Sequence, residues 1–124
     1  GMHSEKHEFP GDVTEQKVLQ RIAELNVNPR IHGILVQLPL PAHFDARRLL
    51  DAIHVEKDVD GFNLYNVGSL VAGQTVFPPC TPFGVLCMLE HAKIPIAGQN
   101  VVVVGASNIV GKPMAMMLMK RDAT

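Results

Sequence analysis

The chain has 124 residues, 47% of them hydrophobic and 19% charged, with 11 Lys and Arg against 12 Asp and Glu. That is a globular composition, and a near-neutral charge with no basic cluster argues against nucleic acid or an anionic membrane as partner. No apolar run approaches the roughly 20 residues of a membrane span, and the polar start GMHSEKHEFPGD has no signal-peptide core, so a cytoplasmic protein is expected.

The first predicted element is a surface helix. Asp12 and Thr14 are candidate N-caps, Glu15 completes a capping box with Asp12, and Val18, Leu19, Ile22 and Leu25 share one face. Asn26, Asn28 and Pro29 stop it, and Ile31 to Val36 reads as an apolar strand. The strand runs into Gln37-Leu-Pro-Leu-Pro41, where the prolines forbid ladder pairing and keep the backbone extended. Gln37 therefore stands just beyond a strand end, where ligands of open α/β sheets collect. Its amide either reaches a substrate or bonds only loop backbone.

Asp45 is the predicted cap of a short helix with Leu49, Leu50 and Ile53 inward. EKDVDGFN follows. Glu56, Asp58 and Asp60 before Gly61 read either as a solvated turn or as a carboxylate held in a cleft for N–H donors. Calcium is excluded, because the acids lack EF-hand spacing and no Glu follows at the required distance. Asn66 to Val71 is a predicted short helix ended by Gly73. Thr81 is the predicted N-cap of a helix from Phe83 to His91, with Pro82 at its first position. On the cap and body of that helix, Cys80 and Cys87 read as reduced thiols, and the six histidines show no metal-ligand spacing, so no metal site is expected. Lys93 to Gln99, with Pro95 and Gly98, is the expected domain boundary.

Val101 to Pro113, VVVVGASNIVGKP, closes the pattern. Four β-branched residues predict a strand buried on both faces, Gly105 a sharp turn, and the segment from Pro113 a helix. Strand, turn and helix start form a potential anion site for a pyrophosphate. The match to G-x-G-x-x-G is imperfect: Ser107 replaces the second glycine and Gly111 comes one residue late. A turn with no ligand remains the other reading. Because a parallel strand needs neighbours from later crossovers, the chain is expected to be part of a longer protein.

Four stretches carry a resemblance: ELNVNPRIHGILVQLPLP, EKDVDG, PPCTPFG and VVVVGASNIVGKPMA, in this order and spacing. The chain resembles the bifunctional methylenetetrahydrofolate dehydrogenase/methenyltetrahydrofolate cyclohydrolase family over nearly its whole length. The resemblance implies an α/β, two-domain enzyme. A three-layer α/β folate-binding domain would occupy residues 1–92 and a Rossmann-like NAD(P)-binding domain would start at 93–124, each covered in part. Also implied are NADP, more rarely NAD, a tetrahydrofolate substrate, a homodimer, and a place in one-carbon metabolism and purine biosynthesis. In such an enzyme a hydride passes from 5,10-methylenetetrahydrofolate to the nicotinamide, and water then converts the methenyl cation to 10-formyltetrahydrofolate.

By the same resemblance Gln37 orients the catalytic lysine and Asp60 hydrogen-bonds the pterin. Gln37, Leu38, Pro39, Asp60, Pro79, Cys80 and Thr81 would line the substrate cleft. Gly105, Ala106, Ser107, Ile109, Val110, Gly111 and Pro113 would form the cofactor loop. The family's lysine lies in a Tyr-x-x-x-Lys motif upstream of these residues, and none of Lys6, Lys17, Lys57, Lys93, Lys112 or Lys120 sits in one. The later P-G-G-V-G-P segment is also missing, and Ala106 stands where some relatives place an arginine for a 2′-phosphate. The 124 residues alone are therefore expected to be inactive. The competing readings are a nucleotide-binding module of another dehydrogenase family and an inactive fragment.

Overall fold

The structure is a computed structural model that describes residues 1–124. Helix α1 spans Glu15–Val27 and buries Ile22 and Leu25, with Val18 and Leu19 packed beside them. Its N-cap is Thr14, which makes no side-chain cap bond, so the expected capping box of Asp12 and Glu15 does not form. Glu15 instead accepts from the Asp45 N–H at 2.7 Å and from Arg48 at 2.8 Å. A charge-assisted pairing with a guanidinium outweighs a bond to an exposed backbone N–H that water satisfies equally well.

Helix α2, Ala46–Asp51, is capped as expected: Asp45 Oδ1 accepts from the Arg48 N–H at 3.1 Å. Leu49, Leu50 and Ile53 all turn inward and join Ile22, Leu25 and Ile34 in one apolar cluster. At ~25 cal/mol per Å² of apolar surface, this burial is the main force holding α1 and α2 together. The expected strand from Ile31 to Val36 reduces to a single parallel bridge between Ile34 and Asp58, in which the Ile34 N–H donates to the Lys57 carbonyl at 2.7 Å. A ladder needs a row of neighbouring backbone, and beside Ile34 there is only the short stretch that enters the acidic turn.

A 3-10 turn, Val55–Lys57, leads to helix α3, Leu64–Val71. Helix α3 starts two residues earlier than expected because Asn63 caps it, its Oδ1 accepting from the Tyr65 N–H at 2.9 Å. Helix α4, Cys80–His91, also starts early. Its N-cap is Pro79, so Thr81 lies inside the first turn and is not the cap expected from the sequence. The Phe83 N–H already reaches the Pro79 carbonyl at 3.1 Å, and Pro82 fits a first turn because no N–H is needed there.

Helix α5 spans Gly111–Met119 and packs on α3 and α4. Met114, Met117 and Leu118 meet Leu70 and Leu86 in a second apolar cluster. The expected doubly buried strand at Val101–Val104 is corrected by the structure: Val102 is 86% and Val104 98% exposed. Val103 alone packs against the second cluster. One step of parallel pairing is nevertheless present: the Val101 N–H donates to the Thr124 carbonyl at 2.7 Å and the Thr124 N–H to the Gln99 carbonyl at 2.9 Å. The side of the segment that carries Val102 and Val104 is open, while Val103 faces the second cluster. No helix is long and apolar enough to cross a membrane.

Candidate functional site

The acidic turn is the most constrained polar structure in the molecule. Asp58 is 1% exposed, and its Oδ2 accepts from the Asn63 N–H and from Asn66 Nδ2, each at 2.8 Å. The Gly61 N–H donates to the Asp58 carbonyl at 3.2 Å and closes a turn with Asp60 at its third position. Gly61 has φ +69°, and a Cβ there would lie 2.5 Å from the Phe77 carbonyl oxygen, so both conformation and space demand glycine. From the other side, the Cys80 thiol donates to the Val59 carbonyl at 3.3 Å. Asp60 is partly buried in this turn, and its carboxyl is pushed above the usual carboxylate range, first by burial and then by the charge of Asp58.

Gln37 is exposed, and its Nε2 donates to the Leu38 carbonyl at 2.8 Å, the local bond that was one of its two readings. Leu38 packs on the first cluster, and the Leu38–Pro39 peptide bond is cis. Because Ile34 and Asp58 pair in the parallel sense, Gln37 and Asp60 leave the bridge in the same direction. The close approach of Gly61 to Phe77 and Pro79 brings Pro79, which is buried, and the exposed Cys80 to that turn. Thr81 is exposed on the first turn of α4.

The glycine loop is built differently. Gly105, Ala106, Ser107, Ile109 and Val110 are exposed, while Gly111 and Pro113 are buried at the start of α5. Ser107 Oγ accepts from the Val110 N–H at 3.1 Å and the Gly111 N–H at 3.2 Å, so the hydroxyl caps the first turn of the helix. The N–H groups of Ala106 to Ile109 donate to no protein acceptor. Gly111 is held against the loop's other end, since a Cβ on it would lie 2.2 Å from the Gly105 carbonyl oxygen. No hydrogen bond joins this loop to the acidic turn.

Several residues that organise the acidic turn escaped the sequence reading. Asn63 Nδ2 donates to the Asp51 and Ile53 carbonyls at 3.3 and 3.1 Å, and Asn66 Nδ2 reaches the Val55 carbonyl at 3.2 Å. Lys57 Nζ donates to the Leu25 and Asn28 carbonyls at 3.0 and 2.8 Å, tying the turn to the C-terminus of α1. The cap preference of asparagine before an apolar run was a legible signal for Asn63. Asn66 had none, because a buried amide inside a helix follows no periodicity.

Comparison with known proteins bears on both halves of the chain. Residues 1–60 match the family model described as tetrahydrofolate dehydrogenase/cyclohydrolase, catalytic domain, and residues 79–124 match the one described as its NAD(P)-binding domain. The whole chain is 63% identical to the bifunctional protein FolD of Nitrosospira multiformis and spans 43% of that protein's length. The crystal structure of the bifunctional methylenetetrahydrofolate dehydrogenase/cyclohydrolase FolD from Campylobacter jejuni superposes with a TM-score of 0.90. It is 47% identical, over 92% of this chain and 41% of that one. The Trypanosoma brucei methylenetetrahydrofolate dehydrogenase-cyclohydrolase, solved with NADP cofactor and inhibitor, gives a TM-score of 0.88 at 38% identity, covering 93% and 39%. Two domain models of one enzyme in register, with the same backbone in solved relatives, leave one conclusion: the chain belongs to the tetrahydrofolate dehydrogenase/cyclohydrolase family.

Proposed function

We propose that the protein containing these residues oxidises 5,10-methylenetetrahydrofolate with NADP+ and hydrolyses the methenyl product to 10-formyltetrahydrofolate. The observation that carries the reading is 63% identity over the whole chain to a bifunctional protein FolD, with matches to both the catalytic and the NAD(P)-binding domain models. In this reading residues 1–92 form part of a three-layer α/β folate domain and 93–124 the start of a Rossmann-like cofactor domain. The enzyme is cytoplasmic and a homodimer.

Asp60 binds the pterin. Its ionised carboxylate accepts from the pterin's amino and ring N–H groups, a pairing that a partly buried site strengthens. Gln37 positions the catalytic lysine, which an amide does without neutralising it; its exposed position leaves the side chain free to exchange its Leu38 bond for that partner. Leu38, Pro39, Pro79, Cys80 and Thr81 supply the cleft walls.

The loop from Gly105 to Pro113 fits a dinucleotide pyrophosphate: four N–H groups lack protein acceptors, and the Gly105–Gly111 contact keeps side chains out of the approach. When bound, NADP+ supplies the hydride acceptor. The preference for NADP over NAD follows the cofactor of the Trypanosoma brucei relative; Ala106 offers no cation to a 2′-phosphate.

The test is made on the protein expressed from its complete reading frame, with nicotinamide reduction and folate binding measured in parallel. Asp60→Ala should weaken tetrahydrofolate binding about tenfold to a hundredfold, the loss expected when buried donors go unpaired, with NADP affinity unchanged. Gln37→Ala should act mainly on turnover. An Asp60→Ala protein that binds folate normally and loses NADP would overturn the assignment. Residues 1–124 by themselves should turn over neither substrate.

A further inference from the structure

The buried carboxylate of Asp58 has no part in the contacts assigned to folate or cofactor, yet it is the most enclosed charged group in the chain. No cation neutralises it: Lys57, its neighbour in sequence, spends its ammonium on the Leu25 and Asn28 carbonyls. Both hydrogen bonds to Asp58 Oδ2 come from neutral donors on the start of α3. Asn66 pays a visible cost for this arrangement, because turning Nδ2 toward Asp58 and Val55 leaves its Oδ1 as a buried atom without a partner. Such a group persists when the surrounding structure gains something else from it.

What it gains is placement of the turn. Asp58 contributes at three points: its side chain is pinned to α3, its position pairs with Ile34, and its carbonyl takes the Gly61 N–H that closes the turn around Asp60. We propose that Asp58 is the positioning residue for Asp60, fixing through Asn63 and Asn66 the direction in which that carboxylate is presented and supplying the negative charge beside it. This rests on the reading of Asp60 as the pterin acceptor. Other groups packed on the turn do not replace it: the Cys80 thiol is occupied by the Val59 carbonyl, and Asp58 is the charged residue acting on Asp60.

The sign of the pH effect follows. Asp60 binds N–H donors when ionised, so folate affinity is present at high pH and falls as pH drops through its carboxyl range, which Asp58 helps to raise. Removing the Asp58 charge while keeping an acceptor must move that acid limb to lower pH.

The experiment measures tetrahydrofolate affinity against pH for the protein from its complete reading frame. Its variants are Asp58→Asn, Asn66→Ala, Asp60→Asn and Asp60→Ala, with folding checked by circular dichroism. Asp58→Asn should shift the acid limb to lower pH with less than about a threefold change at neutral pH, and Asn66→Ala should weaken binding about tenfold by releasing the turn. Asp60→Asn should abolish the limb. An unshifted limb in Asp58→Asn overturns the positioning role while Asp60→Ala still loses folate; normal binding by Asp60→Ala removes the underlying reading and this one with it. If Asn66→Ala does not fold, the Asp58→Asn limb decides alone.

Discussion

The acidic turn and the glycine loop are both short, both close on a glycine, and differ in almost everything else. Around Asp58 the polar groups are tied to α1, α3 or Ile34 with the Asn66 Oδ1 as the exception, so the turn is held by residues within reach of it. The stretch from Val101 to Val104 is four β-branched residues with little to pack them on: Val103 reaches the second cluster, and Val102 and Val104 stand in solvent. The difference is one of locality. A turn that satisfies its own hydrogen bonds is complete at short range, whereas a parallel strand is complete only with strands that arrive from elsewhere in the sequence.

The sharpest way to break that comparison is in the core beneath the first region. Leu49 is fully buried, so Leu49→Ala should cost about 3–4 kcal/mol in denaturant unfolding, transfer and cavity terms together. A loss under about 1 kcal/mol would mean that the first cluster is loosely packed. Next comes Gly61→Ala. An alanine there meets both an unfavourable φ and the Phe77 carbonyl, for a loss of about 3 kcal/mol. Gly111→Ala meets a closer backbone atom, the Gly105 carbonyl oxygen at 2.2 Å, but without the positive φ of Gly61, so about 2 kcal/mol is expected. Equal losses would erase the contrast between a locked turn and an open one.

Smaller still is the acid dependence at Asp51. Its hydrogen bond from Arg47 holds the carboxyl below the usual range against the opposing effect of burial, with the Leu64 N–H assisting. Because the folded-state value is depressed, this contribution is present above the unfolded carboxylate range and is lost as pH falls through the folded one. The pair is largely exposed, so Arg47→Ala should remove only about 0.3–0.5 kcal/mol at neutral pH, less at high salt. Smallest is Val104→Ser, which should leave the stability of the 124 residues within about 0.5 kcal/mol of the parent, as for any substitution of a fully exposed side chain. A large loss would show that the valines are paired in solution.

The same contrast explains what could be read from residues alone. The helix faces of Ile22 with Leu25 and of Leu49, Leu50 and Ile53 were legible because helical periodicity and a capping aspartate are local signals. The strands at Ile31–Val36 and Val101–Val104 were read from β-branched runs, which report what a segment needs and not whether the need is met. Asp60 and Gln37 were singled out by motif, and the parallel bridge between Ile34 and Asp58 ties the segments that carry them. Asn66 and Lys57 were missed because their partners, Asp58 and the end of α1, are set by tertiary packing alone.

The two apolar clusters share no buried residue, and that separation has a dynamic consequence. Two separate clusters joined through α3 are expected to open with different free energies, so that one can loosen while the other stays closed. The amides of Val101 and Thr124, which zip the return from α5 onto the stretch before the valines, therefore exchange with solvent whenever the Met114–Leu118 face lifts away from α4. The amide of Ile34 on Lys57 exchanges only when α1 and α2 part. Deuterium uptake should separate these positions into two kinetic groups.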